Sequence, residues 1–281
     1  MRKLAYILIA LMSVSCVSSY VHPCEDDLRR LDEALEEMDE YVAIKENRIA
    51  TISESLSDPG LTLNQKYGVY GRLYEEYRPY QFDRALEMLG MQEEIALQMG
   101  DESLKTTASL NKAFLFTTAG FFHEASGAFS QLDTMSFDYQ QKMLWYNARQ
   151  KFLKDYEEYL RTSGIDVPDI GKIRSYQNLI LENTPENSIL NRHITIMHMI
   201  WDNRWEEAYD ENLRVIEGLN PHSRDYAVQT YWQGFICENL KRDDEKIMWW
   251  VKSAICDIQG AIKYNASLCS IAVNLTAPED T

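Results

Sequence analysis

Apolar positions along this chain keep two periods. From residue 25 to 57, Leu28, Leu35, Val42, Ile49 and Leu56 stand seven apart, and Leu31, Met38, Lys45 and Ile52 occupy the intervening d-type positions. That is one seam of a long amphipathic helix, interrupted only by a charge at Lys45. Asp58-Pro59-Gly60 then supplies turn chemistry that ends the helix. Beyond it the pattern becomes a series of helical hairpins. The best patterned is Tyr226–Lys263. Ala227, Tyr231, Gly234 and Phe235 share one face of its first helix, and Ile247, Trp250, Val251, Ala254 and Ile255 one face of its second. Lys241-Arg242-Asp243-Asp244 forms the polar turn between them, and Gly234 and Ala254 are small enough for the two backbones to approach closely.

Small residues mark the second helices of earlier hairpins. Ala85 lies in QFDRALEML of residues 64–98, and Ala125 in FFHEASGAF of residues 103–133, 40 residues further on. Ala208 lies in WEEAYDENL of residues 186–218, and Ile247 follows it by 39. The gap from Ala125 to Ala208 spans 83 residues, about two periods, which predicts a further degenerate hairpin over roughly 137–184, broken near Ser163-Gly164 and Val167-Pro168. One hairpin cannot bury its own apolar face, so stacked hairpins of about 40 residues predict an all-α solenoid of about five units. The repeats resemble tetratricopeptide (TPR) units, although their period exceeds the usual 34 or so and most signature positions are missing. The expected organisation is a leader at 1–16, a long amphipathic or coiled-coil helix at 25–57, and a TPR-like domain at 64–277.

Composition supports helices: 45% of the 281 residues are hydrophobic, enough for a core, while 12 Gly and 7 Pro leave few turns. The formal net charge of −16, which becomes −18 without Arg2 and Lys3, and the absence of a basic stripe exclude a nucleic-acid partner.

Residues 1–16 place Arg2 and Lys3 before an apolar run from Leu4 to Met12, the layout of a secretory signal peptide. Cys16 stands where a bacterial lipoprotein is lipidated, but Ser13 replaces the usual Leu, so simple export and a membrane-anchored lipoprotein both fit. Of the other cysteines, Cys237 and Cys256 lie on consecutive helices, as a pair or as buried thiols; no CxxC supports a zinc or redox site.

Three stretches are similar to the large membrane-spanning TPR regulators of Bacteroides-type bacteria. LDEALEEMDEYVAIKENRIATISESL resembles their opening helix, YEEYRPYQFDRALEML their first repeat, and LKRDDEKIMWWVKSAICDIQGAIKYNASLCSIAVNL their last, with the characteristic Ser253-Ala254-Ile255 and Asp257. The resemblance covers roughly residues 25–275. It implies exported repeats that act as a sensor, followed in that family by a transmembrane helix, a coiled coil and a DNA-binding domain. This sequence stops at NLTAPEDT, so the expectation is the sensor half alone.

In TPR units, positions 2, 5, 9 and 12 of each first helix face the concave groove. With Leu73 at position 8, those places fall on Tyr67, Tyr70, Tyr74 and Tyr77. The same counting selects Thr107, Leu110, Phe114 and Thr117, then Leu190, His193, Met197 and Ile200, then Val228, Tyr231, Phe235 and Glu238. Such an aromatic surface with hydroxyl handles suits a peptide, protein or glycan ligand; the competing reading packs these rings between helices. His193 and His198 are five apart, on different helix faces, so no metal site is expected, and no cofactor motif occurs. Glu36/Glu37, Glu75/Glu76, Glu93/Glu94 and Glu206/Glu207 read as solvated faces, and Trp201, Trp205, Trp249 and Trp250 as helix packing. The favoured function is therefore a non-enzymatic binding module. The alternatives are an adaptor that oligomerises through residues 25–57, a glycan-binding lipoprotein and, last, an enzyme, for which no reactive constellation is present.

Overall fold

The computed structural model describes residues 23–165, 170–263 and 265–276. The leader and Cys16 lie outside the described residues. The described residues form thirteen α-helices and no strand. Two lead: α1 (Pro23–Glu36) and α2 (Met38–Glu54). Five hairpins follow: α3/α4 (Leu63–Tyr77, Phe82–Met99), α5/α6 (Glu102–Thr118, Phe122–Ser130), α7/α8 (Tyr139–Thr162, Ile170–Asn183), α9/α10 (Ile189–Trp201, Trp205–Glu217) and α11/α12 (Arg224–Asn239, Asp243–Gln259). A last helix, α13 (Ala266–Thr276), packs on α12. This is the α-solenoid that the 40-residue spacing predicts.

Polar side chains start the first helices of these hairpins. Thr62 and Asp138 form reciprocal capping boxes with Gln65 and Gln141, and Asp101, Ser188 and Ser223 each accept an amide from the first turn. The turn inside three hairpins is one device used three times. Gly120 (φ 77°), Asn203 (φ 58°) and Lys241 (φ 60°) are left-handed, and the next residue's amide reaches back to Phe116, Met199 and Cys237. Gly and Asn accept that backbone readily, whereas Lys241 carries strain.

The small residues sit where the helices meet. Ala85, Ala125, Ala208 and Ala254 are all fully buried. Gly234 faces the indole of Trp250, which is 2% exposed.

The leading segment departs from the single long amphipathic or coiled-coil helix expected over residues 25–57. It breaks at Glu37 (φ −86°, ψ 2°). The two pieces serve opposite ends of the solenoid. Leu28, Leu31 and Ala34 of α1 pack on Ile247, Trp250, Val251, Ala254 and Ile258 of α12. Val42, Ile49 and Ile52 of α2, with Leu56, pack on the first hairpin around Val69, Leu73 and Leu89. The seam is thus spent on the chain's own repeats. Leu35 and Met38, at the break, are the seam residues left exposed.

Lys45, the charge that interrupts the seam, is buried. Its Nζ donates to the Gly260 carbonyl (3.2 Å) and lies 3.4 Å from Glu76. The amide of Lys263 donates to the Pro79 carbonyl at 3.1 Å. The first and last hairpins therefore meet, and the five repeats close into one turn.

Candidate functional site

The tyrosine stripe of α3 faces its neighbours more than a groove. Tyr67 and Tyr74 direct their hydroxyls to the Leu104 and Asn111 carbonyls of α5, at 2.9 and 3.5 Å. Burial lifts the pKa of both phenols to about 12. Tyr74 is 1% exposed, which corrects the expectation of an accessible ring there. Tyr67, Tyr70 and Tyr77 are half-buried, and Tyr70 and Tyr77 border the first core cluster.

Met197 needs the same correction. It is 4% exposed in a core with Ile196, Ile200, Val215 and Ile236. Leu110, Thr117 and Ile200 are likewise buried. Counting TPR positions is exact only for a 34-residue unit. Here the longer repeat rotates some counted places into the helix contacts.

His193, Tyr231, Phe235 and Phe114 are half-buried. His193, on α9, is joined by two residues that the counting did not select: Lys154 on α7 and Trp232 on α11. The Lys154 ammonium lies 4.7 Å from the centre of the Trp232 ring, and the His193 ring meets Trp232 edge-on at 6.3 Å. Trp232 in turn touches Tyr231 (5.7 Å) and Phe235 (5.5 Å). Three first helices, α7, α9 and α11, thus converge on one aromatic cluster.

The electrostatics of this cluster are unusual for so acidic a chain. Lys154 makes no ion pair or hydrogen bond among the described residues, and burial together with the charge of Lys151 lowers its pKa. Burial lowers the pKa of His193 to about 4, so its ring is neutral at physiological pH. The Gln229 side chain faces His193 Nδ1, its amide nitrogen at 3.1 Å and its carbonyl oxygen at 3.5 Å, with the direction of the hydrogen bond set by the ring tautomer. The cluster therefore brings together a cation, a neutral imidazole and an indole, while the charges of Asp155 and Glu158 act on Lys154 against its downward shift.

A second feature lies where the two ends of the solenoid meet. Lys45, Glu75, Arg78, Pro79, His222, Arg224, Cys256, Gly260 and Ile262 enclose a cavity of about 320 Å³. Arg78 pairs with Glu75 through Nη2 at 2.9 Å, but its buried Nε has no acceptor. Burial pushes Asp257 up to about 7 even though Arg224 opposes the shift. Cys256 and Cys237 are separate buried thiols, and Cys256 Sγ donates to the Ser223 carbonyl (3.3 Å). No group of His, Cys, Asp and Glu among the described residues is placed to hold a metal ion.

No described helix is long and apolar enough to cross a membrane. A family model described as the SusR N-terminal TPR domain matches residues 35–281. No curated protein and no solved structure matches the chain.

Proposed function

The chain belongs to the SusR N-terminal TPR domain family, and from that premise we propose that it is an exported, non-enzymatic binding module that serves as the sensor half of a membrane-bound transcriptional regulator. The TPR fold is a protein-interaction fold, and its repeats present their first helices to a ligand. The observation that carries the proposal is the Lys154–His193–Trp232 cluster. An unpaired, desolvated lysine costs stability in a resting protein, and such costs persist where a ligand supplies the missing partner. Its occupant is a glycan or peptide segment that stacks on Trp232, hydrogen-bonds the neutral His193 imidazole and places an electron-rich oxygen near Lys154.

The adaptor reading has less support, because α1 and α2 spend most of their seam on α12 and on the first hairpin. Export follows the leader layout, with lipidation at Cys16 as its variant; mass spectrometry of the protein from its native host separates an acylated from a simply cleaved chain.

Thermal-shift screening of oligosaccharide and peptide panels, then calorimetry on Trp232→Ala and Lys154→Met, tests the ligand site. Each variant should weaken a hit by about 2 kcal/mol, as hot-spot residues do, while melting within a few degrees of the parent. A hit whose affinity neither substitution changes would place its site elsewhere.

A further inference from the structure

We propose that the cavity between the first and last hairpins is a second binding site, specific for a small organic or inorganic oxyanion, a carboxylate or a phosphate. The proposal rests on residues separate from the Lys154 cluster.

The cavity's cations come from both ends of the chain. Lys45 arrives from α2, Arg78 from the end of α3 and Arg224 from the start of α11. Lys45 is already engaged by the Gly260 carbonyl and Glu76, and Glu76 is shared with Arg48 at 2.7 Å. The other two are not fully used. Arg224 makes no ion pair or hydrogen bond through its guanidinium among the described residues, although it lines the cavity. Arg78 spends one nitrogen on Glu75 and leaves a buried Nε without an acceptor.

Arg224 is exposed at the cavity's rim; desolvation and, next, the repulsion of Arg78 lower its pKa, and Asp257, Glu75 and Asp225 oppose that shift. Glu75 is committed to Arg78, and Asp257, held near a pKa of about 7, is only partly ionised at neutral pH. Arg78 and Arg224 both line the cavity, and the guanidinium group is the fork that binds carboxylate or phosphate oxygens in pairs. A cavity of about 320 Å³, open to solvent on one side, is at the small end of ligand pockets and suits a compact anion. An occupant would touch the first hairpin, the last hairpin and α2 together, and so tighten the closure of the ring.

Calorimetric titration of the full chain with succinate, inorganic phosphate and the neutral diamide succinamide tests this. The prediction is saturable binding of at least one oxyanion, a higher melting temperature in its presence, and no response to succinamide. Which of succinate and phosphate binds more tightly assigns the site to carboxylates or to phosphates. Arg224→Gln should weaken binding at least about tenfold, the loss of one charge-assisted pair. Arg224 makes no ion pair among the described residues, but its charge opposes the rise of the Asp257 pKa, so the variant should melt slightly below the parent at neutral pH before ligand is added. Arg224→Lys, which keeps the charge but not the fork, should bind with intermediate affinity and serves if the glutamine variant folds poorly. Absence of binding by both oxyanions, equal binding of succinamide, or unchanged affinity in the Arg224 variants would overturn the proposal.

Discussion

Gly234→Ala isolates the close approach of α11 and α12. A Cβ on Gly234 would stand 2.9 Å from Trp250 Cγ and closer still to Cδ1 and Nε1. Carbon atoms pack at about 3.5–4.0 Å, so the indole would have to retreat by roughly 1 Å. It has little room to do so. Trp250 is 2% exposed and lies in one cluster with Ile247, Val251, Ala254, Leu31 and Ala34. Overpacking a filled core costs about 1–3 kcal/mol. A rigid ring backed by another helix belongs at or beyond the upper end of that range. Alanine's better helix propensity returns up to about 1 kcal/mol, which leaves a net loss of about 2 kcal/mol. For a domain of this size that is a fall in melting temperature of roughly 4–8 °C, read by circular dichroism at 222 nm. Gly90→Ala is the internal control: a Cβ there meets nothing within 4 Å, so propensity alone should stabilise the protein by about 0.5–1 kcal/mol. Combining Gly234→Ala with Trp250→Phe should recover part of the clash. A Gly234→Ala protein that melts at or above the parent temperature would refute the close approach of α11 and α12.

Lys241→Gly should stabilise the protein by about 1 kcal/mol in chemical denaturation, because it relieves a left-handed lysine (φ 60°) in the α11/α12 turn. Lys45→Met should stay within about 1 kcal/mol of the parent, since Glu76 keeps Arg48 as a partner, whereas Lys45→Glu buries a carboxylate beside Glu76 and should cost several times more. Two groups tilt the pH profile of stability in opposite directions. Asp257 has a folded pKa raised to about 7, so its contribution is complete at low pH and is lost as pH rises from about 4 to about 7. His193 has a folded pKa lowered to about 4, so its contribution is complete above about 6.5 and is lost as pH falls toward 4. Denaturation across this range should therefore show Asp257→Asn removing the decline toward neutral pH, and His193→Gln removing the decline toward acid; the same slope in parent and variant would contradict either assignment.

Much of the fold was legible because the burial it requires is periodic. Ala85 and Ala125 mark second helices 40 residues apart and Ala208 follows after about two such periods, so the empty interval between the last two locates α7 and α8 without any motif of their own. The break at Glu37 was not legible, because the heptad pattern runs through it unchanged; only the presence of two different docking surfaces divides the helix. Lys45 was visible as an interruption, but its meaning lies in a carbonyl 215 residues away. The candidate site was readable only in part. Counting reached His193, Tyr231 and Phe235 and stopped one residue short of Trp232. It never reached Lys154, because the counting from Leu73 was not carried into the degenerate hairpin over 137–184. Tyr74 and Met197 fell on counted positions yet pack inside, since a repeat longer than the TPR unit places those positions against the next helix.

The claim on which the second proposed site depends is that the solenoid closes, its last hairpin fastened to its first. The amide of Lys263 tests it directly. Lys263 lies beyond the end of α12, its side chain is exposed, and its amide hydrogen bond runs to the Pro79 carbonyl at the far end of the ring. Native-state hydrogen exchange should find this amide protected to a degree comparable with the helix amides of α12. Exchange at the rate of an unstructured amide would contradict the closure.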